Sequence, residues 1–543
     1  MAGEASATVA GPVSGSMADT PQPQTTPTET PRSEQPLTVP ALLHRAARDF
    51  GADAYVVTPQ DRLDYRAAEE RSGEAARWLL GHGVGKGSRV GLFFPNGVDW
   101  ITWWLAASRI GALVVPLSTL YTPAEIAKVL RLADIATLVA PARVLTHEVA
   151  DKLEAALPGL AEASSPRLAL SAAPYLRSVV LTGEHDRRWA TRVRPEDAVS
   201  QDILAAVQRE VSPADPAIMV HTSGSTADPK GVVHTHGTLV RQTSTWPAAI
   251  HAITGQPTSP RILCAMPFFW IGGVLAAMGA LHDSLALLVL DRLDAGTALD
   301  LIERERATGI VGWPAFTQKL REHPSFADRD LSSAPMLRDG PVDIAMTDVP
   351  DGFPVHRTMS ETAGGFVHTE MKIVDEHGNP VRNGEVGELM VRGIGVMAGY
   401  NKRERWETFD ADGWYHSGDR VYRRDGDPRL FYVGRSSELI KSAGANVSPL
   451  EVEAVLGGFD DVAQCVVVGL EHPERGEQVC AVLVPAATEI DLTALERRAR
   501  EQLSGYKVPT RWVVVSADRI PTLASGKLDR KSLRSWVIER HPT

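Results

Sequence analysis

Residues 88–118, SRVGLFFPNGVDWITWWLAASRIGALVVPLS, decide the fold. SRVGLFF reads as a buried strand, DWITWWLAASRIGA as a helix and LVVPLS as a strand again. The same alternation runs upstream. ALLHRAARDF (41–50) has amphipathic helical spacing, and RAAEERSGEAARWLLGHG (66–83) is a second helix ended by glycines. This rhythm implies an α/β protein whose sheets are mainly parallel and covered by helices. The Gly-rich GHGVGKG (81–87) imitates a nucleotide loop, but it follows a helix and enters a strand. A phosphate loop needs the opposite order, so the segment reads as a turn.

From about Glu370 the texture changes. MKIVDEHGNPV, GELMVRG and GWYHSGDRVYRRDGDPRLFYVGR are short β segments between Gly, Asp and Asn turns, a β-rich subdomain. After Arg435 the strands QCVVVGL and CAVLVPA and the helix LTALERRAREQL form a compact α+β unit. The predicted organisation is a disordered tail over 1–38, a large N-terminal domain over 39–434 and a small, mobile C-terminal domain over 435–543. The tail is rich in Pro, Thr, Ser, Gly and Ala. It lacks the basic start and apolar centre of a secretory signal and has too little to bury to order itself.

With 543 residues the chain is too long for one ordinary core. A net charge of −11 argues against a nucleic-acid or anionic-membrane surface, while a small anionic ligand needs only a local pocket. The three cysteines, Cys264, Cys465 and Cys480, are far apart, which suggests neither a disulfide framework nor a thiolate metal site and fits a reducing cytoplasm. The apolar run 262–281, ILCAMPFFWIGGVLAAMGAL, is long enough to span a bilayer, but Pro267 and the Gly272-Gly273 pair split it into a strand, a loop and a buried helix, so no stable membrane insertion is expected.

The chemistry concentrates first in HTSGSTADPKG (221–231). AIMV before it is a strand, so the loop leaves a strand end, where open parallel sheets bind ligands. Thr222, Ser223, Gly224, Ser225 and Thr226 offer hydroxyl and backbone donors, and Lys230 offers charge. The Walker loop is excluded, because Lys230 stands between Pro229 and Gly231.

Three further stretches complete a set: GWYHSGDR (413–420), GRSSELIKSAGANVSP (434–449) and PTLASGKLDRKSL (521–533). In this order and spacing the chain, from about residue 40 to its end, resembles the adenylate-forming superfamily in its acyl-CoA ligase branch. It is also similar to actinobacterial ligases of secondary metabolism, those of platensimycin-type pathways among them. The resemblance implies ATP, Mg2+ and coenzyme A as cofactors and a small hydrophobic carboxylic acid as substrate. It implies two half-reactions, formation of acyl-AMP and transfer of the acyl group to a thiol, with the C-terminal domain turning between them. It assigns residues 222–230 to the β- and γ-phosphates, and Ser360 and Glu361 to the nucleotide, Glu361 also holding Mg2+. Asp419 would accept from the ribose hydroxyls, with Arg435 beside it. Lys527 would be the mobile lysine of adenylation. Lys441, Ser442, Gly444 and Asn446 would face adenylate and CoA in the second step, Gly444 letting the pantetheine pass. Ser437 would sit at the hinge, and Trp270, Gly272 and Trp313 would line the acyl pocket. Two tryptophans there favour a bulky apolar acid.

Four departures from the family pattern fall on the ATP side. Ala227 replaces a glycine of the phosphate loop. RDGPVDIAMTDVP (338–350) replaces the segment bordering adenine. Arg357-Thr358 replaces the Tyr-Gly that flanks adenine, and only TAGGFVHTE separates Glu361 from MKIVD. An alanine at φ > 0 costs about 1–2 kcal/mol and a lost base stack about 1–3 kcal/mol. Three readings follow: a complete ligase with weakened adenylation, a ligase that only forms thioesters and takes its adenylate from a separate adenylating enzyme, and a non-catalytic acyl or nucleotide sensor. An adenylation domain serving a carrier protein is a further variant, although no carrier motif follows in the sequence.

Overall fold

The strands Arg89–Leu92 and Leu113–Pro116 pair in parallel, Val90 opposite Val114, with the helix Val98–Arg109 as their crossover. The computed structural model describes residues 36–145, 147–222, 229–254, 259–312, 314–339, 369–435, 439–487, 490–521 and 528–541. The crossover helix buries Trp100, Ile101, Trp103, Trp104 and Leu105, and Gly111 turns the chain out of it at φ 67°. Its last residue, Arg109, is also buried. Its guanidinium is held by Glu69 at 2.9 Å, Ser72 and Gln208 at 3.0 Å each, as a buried charge requires.

This pair lies at the centre of an eight-stranded sheet. In order, its strands are Gly399–Tyr400, Lys230–Thr235, Pro216–Thr222, Leu113–Pro116, Arg89–Leu92, Thr137–Pro141, Ser178–Thr182 and Ala190–Arg192. The last six run parallel, and the first two are antiparallel additions at one edge. A second sheet of five strands, Gly309–Val311, Arg261–Cys264, Ala286–Leu288, Ala54–Val57 and Arg62–Asp64, is parallel except for its last strand. Val56 of the second sheet, Val114 of the first, and Leu42, Trp78, Trp100 and Trp104 of the helices belong to one core, so both sheets pack on the same helices. The outer faces carry their own cores under the helices Pro123–Leu132 and Ala295–Glu305.

The β-rich subdomain is an antiparallel sheet of Glu370–Val374, Gly387–Arg392, Tyr415–Arg424 and Asp427–Arg435. The small C-terminal domain is α+β. Gly476–Pro485 pairs with Val462–His472, Ile440–Ser442 and Arg511–Val514, and the helices Pro449–Leu456, Leu492–Gln502 and Arg530–Arg540 accompany the sheet. The protein is therefore α/β, with a large N-terminal domain and a small C-terminal one. The first helix, Val39–Phe50, is capped by Thr38, whose Oγ1 accepts from Ala41 N; residues 1–35 lie outside the described ones.

The run 262–281 divides into the strand Arg261–Cys264 and the buried helix Ile271–Gly279, and among the described residues no helix is long and apolar enough to cross a membrane. GHGVGKG joins a helix to a strand, with Gly83 and Gly87 at φ 77° and 78°. The three cysteines are free.

Candidate functional site

The strand Pro216–Thr222 ends at the exposed Thr222, and the chain returns antiparallel as Lys230–Thr235, Thr222 opposite Lys230. Ser223, Gly224, Ser225, Thr226 and Ala227, between them, lie outside the described residues. Gly231 is required by packing: a Cβ there would come within 2.7 Å of Met219 Sδ. Half-buried Lys230 lies with Nζ 5.2 Å from the ring centroid of Tyr400, whose hydroxyl is 2.7 Å from that of Tyr415. Tyr400 reaches Lys230 because Gly399–Tyr400 adds to the sheet edge with Tyr400 opposite Val232. One residue before Thr222, His221 is buried and burial pushes its pKa down to about 4, leaving a neutral imidazole near the strand end.

Tyr415 opens the strand that carries Asp419. Across from it, Glu388 faces Arg420 and Met390 faces His416, so Leu389 alone opposes Ser417, Gly418 and Asp419. The resulting bulge is pinned by three bonds. Ser417 Oγ donates to Leu389 O at 2.6 Å, Gly418 N to Glu388 Oε1 at 3.0 Å and Asp419 N to Ser417 Oγ at 3.1 Å. Gly418 supplies φ 74°, a conformation that glycine adopts freely. The other Glu388 oxygen is 3.2 Å from His416 Nδ1. Asp419 is half-buried, with Arg435 as its partner on the next strand. A bulge of this kind re-aims one side chain out of the regular alternation. Here that side chain is a carboxylate able to accept from two hydroxyls. The contacts from Lys230 through Tyr400 to Tyr415 tie its strand to Lys230.

Trp270 is half-buried at the start of the helix Ile271–Gly279, its ring 5.5 Å from Phe269 and 6.4 Å from Tyr506 of the C-terminal domain. Asn96 fixes the preceding turn: its Nδ2 donates to Met266 O at 2.9 Å and its Oδ1 accepts from Phe268 N at 2.7 Å. A Cβ on Gly272 would meet Met266 Cε at 2.4 Å, so this glycine makes room for the Met266 side chain. In the C-terminal domain Lys441 and Asn446 face each other across the hairpin of Ile440–Ser442 and Ala445–Val447. Lys441, Gly444 and Asn446 are exposed, whereas strand alternation turns Ser442 inward, 1% exposed. Ser360, Glu361, Trp313, Ser437 and Lys527 lie outside the described residues, as do 340–368, which hold nearly all of the adenine-side departures. Among the described residues no cluster of His, Cys, Asp or Glu is placed to hold a metal ion, and Glu361, the expected Mg2+ ligand, is not one of them.

The structure thus pairs Thr222 with Lys230 on adjacent strands, connects Lys230 through Tyr400 to Tyr415 on the strand of Asp419 in the separate antiparallel sheet, and adds Tyr400, Tyr415, Glu388 and Asn96, which sequence reasoning missed. Tyr400 and Tyr415 are aromatic residues in β segments and carry no local signal beyond that.

A family model described as AMP-binding enzyme matches residues 43–340 and 342–401, and one described as AMP-binding enzyme C-terminal domain matches residues 451–527. Over 501 residues the chain is 31% identical to a feruloyl-CoA synthase of an Amycolatopsis species, covering 87% of this chain and 93% of that one. It is 31% identical over 534 residues to a Mycobacterium tuberculosis CoA ligase named for a (methyl-dioxo-octahydroindenyl)propanoyl group, covering 92% and 98%. Among solved structures, the amide bond synthetase McbA of Marinactinospora thermotolerans superposes with a TM-score of 0.70 at 25% identity, covering 91% of this chain and 99% of that one. The anthranilate CoA ligase AuaEII in complex with anthranoyl-AMP has the same fold, with a TM-score of 0.59 at 21% identity, covering 93% and 98%.

Proposed function

The chain belongs to the family of AMP-binding enzymes, as an acyl-CoA ligase of the AMP-forming type, and from that premise we propose that it converts a bulky apolar carboxylic acid to its CoA thioester. In the first step a carboxylate oxygen attacks the α-phosphorus of ATP, and pyrophosphate leaves. In the second the CoA sulfur attacks the acyl carbon, AMP leaves and the thiol proton passes to solvent. Lys230 and the loop from Thr222 would hold the β- and γ-phosphates, and Asp419 and Arg435 the ribose. Glu361, beside Ser360, would bind Mg2+, which offsets phosphate charge. Lys527 would stabilise charge at the α-phosphorus. Lys441, Gly444 and Asn446 would act in the second step, after the C-terminal domain has turned about Ser437.

The single observation that carries this reading is the Lys230–Tyr400–Tyr415 chain of contacts, which sets a cation at the loop root beside the strand of the bulged Asp419. The half-buried Trp270 ring among Phe269 and Tyr506 supports an apolar acid. So do the ring-bearing acyl groups for which the two relatives are named. The test is ATP–pyrophosphate exchange with ferulate, a polycyclic propanoate, octanoate and acetate, paired with CoA consumption from the matching synthetic acyl-adenylates. Exchange is expected with the ring-bearing acids. Lys230→Met should lower exchange by about 10- to 100-fold, the loss of a charge-assisted bond worth about 1.5–3 kcal/mol. It should spare thioester formation from acyl-AMP, which has no pyrophosphate; equal loss in both assays would refute the assignment.

A second reading rests on the four ATP-side departures: the enzyme forms thioesters from an adenylate made elsewhere. It predicts no exchange with any acid but rapid CoA consumption from acyl-AMP. In the first reading Ala227→Gly raises exchange about tenfold, as relief of about 1.4 kcal/mol would.

A further inference from the structure

The helix Pro123–Leu132 opens on a reciprocal cap. Thr122 Oγ1 accepts from Glu125 N at 3.3 Å, and Glu125 Oε2 accepts from Thr122 N at 2.8 Å. A capping carboxylate at a helix start is at home in water, yet this one is buried under the C-terminal domain. Lys507 Nζ lies 2.7 Å from Glu125 Oε1 and 2.9 Å from Glu451 Oε1. Ser504 Oγ donates to Glu125 Oε2 at 2.6 Å, and Thr122 Oγ1 to Gln502 O at 3.4 Å. The next residue back, Tyr506, reaches Trp270. Burial works against the charge on Lys507, but Tyr506, Glu451 and Glu125 raise its pKa overall. Burial likewise pushes Glu125 up, yet Lys507, Ser504 and Thr122 bring it below the usual carboxylate range. Lys507 and Glu125 are therefore each held as an ion by the groups around them. Glu125 belongs to the N-terminal domain; Lys507 and Glu451 belong to the C-terminal one.

We propose that Glu125, Lys507 and Glu451 form an interdomain clasp that fixes one orientation of the C-terminal domain, with Lys507 a positioning residue for the adenylation half-reaction. This rests on the two-step reaction proposed above. In the clasped arrangement Lys441, Gly444 and Asn446 are exposed, and the clasped orientation is assigned to the first half-reaction. The division of charges suits a contact that must open. When the domains part, Lys507 keeps Glu451 and Glu125 meets water, so no ion is left buried and alone. Loss of Lys507 in the clasped state would leave two carboxylates facing each other out of water, which is strongly unfavourable.

The test uses the full chain with Lys507→Met and, as a near-isosteric second variant that keeps the helix cap, Glu125→Gln. Hydrogen exchange should quicken about tenfold at amides 124–126 and 503–508 while the cores of both domains keep their protection, as a contact weakened by about 1.4 kcal/mol would. ATP–pyrophosphate exchange with the best acid of the panel should fall about tenfold, and CoA consumption from its synthetic acyl-AMP should hold or rise. Unchanged amide exchange in both variants overturns the clasp. Faster amide exchange with equal loss of both half-reactions overturns the positioning role and leaves a merely structural contact. The proposed function fails separately, if the wild-type chain itself consumes no CoA from any acyl-adenylate.

Discussion

Ala443 and Gly444 have φ of 50° and 84° and join Ser442 to Ala445 as a two-residue hairpin turn. Positive φ at both central positions is what the twist of a tight hairpin demands. Glycine meets it freely, while alanine costs about 1–2 kcal/mol there. Ala443→Asn is therefore expected to stabilise the C-terminal domain by roughly 0.5–1 kcal/mol, read as a shift of its urea unfolding midpoint; a lower midpoint would refute the strain. The same turn changes what Gly444 means. Its sequence context suggests a passage for pantetheine, and the backbone supplies an independent reason for a glycine. Gly444→Asn tolerates the left-handed conformation and Gly444→Val does not. Both should slow CoA consumption from acyl-AMP, but only the valine variant should also lose stability, by about 1–2 kcal/mol. If the asparagine variant turns over at the wild-type rate, the glycine is there for the turn alone. At this scale the sequence disclosed the residues with distinctive motifs, Lys230 and Asp419. It did not disclose Tyr400, Tyr415 or Glu388, because each acts through strand register, and nothing adjacent in the chain marks its partner.

Among the elements, those with their own periodicity were legible. Val98–Arg109 and the strands on either side could be read because a continuous apolar run, an amphipathic turn and a second run differ in period. The two-residue strand Gly399–Tyr400 is too short to have a period, yet it brings Tyr400 to Lys230. The bulge in Tyr415–Arg424 was likewise invisible, since it exists only relative to Gly387–Arg392. Its dependence on Glu388 can be tested. Glu388→Ala leaves Gly418 N without its acceptor and frees the turn that aims Asp419. The KM for ATP is expected to rise about tenfold with kcat little changed, the effect of about 1.4 kcal/mol lost from binding. The affinity for acyl-AMP should fall by a similar factor, because both ligands carry the ribose. Glu388→Gln retains an oxygen for Gly418 N and should restore both. A kcat loss with KM unchanged would mean that the bulge serves the chemistry rather than the ribose.

At the level of the whole molecule, the sequence indicated two domains but not how they meet: Glu125 and Lys507 are 382 positions apart, and each is locally unremarked. The buried histidines are similar, since burial is a property of the assembled sheets. His221, His234 and His236 are buried and His282 is half-buried, and burial pushes each down to about 4 from an ordinary 6.5. Above pH 6.5 these imidazoles are neutral in both the folded and unfolded chain and do not affect stability. As pH falls from 6.5 towards 4 the unfolded chain takes up protons that the folded chain excludes, so the unfolded state gains. Each histidine then removes about 1.4 kcal/mol per pH unit, until below about 4 both states are protonated and the loss stops growing. Carboxylates held low by their partners, such as Glu305 beside Arg62 and Arg261, lose their contribution only as pH falls through the ordinary value of 4.5 and below. The window from pH 6.5 to 5 therefore lies above the titration of such lowered carboxylates and within that of the histidines, while Asp99, which burial raises, works in the opposite direction. Urea unfolding across that window should show stability falling with acidification, and His234→Gln should reduce the slope by about one proton's worth, or about 1.4 kcal/mol per pH unit. A flat profile in the wild-type chain, or an unchanged slope in the variant, would mean that the His234 imidazole is protonated as readily folded as unfolded, and that the interior of the large sheet admits its charge.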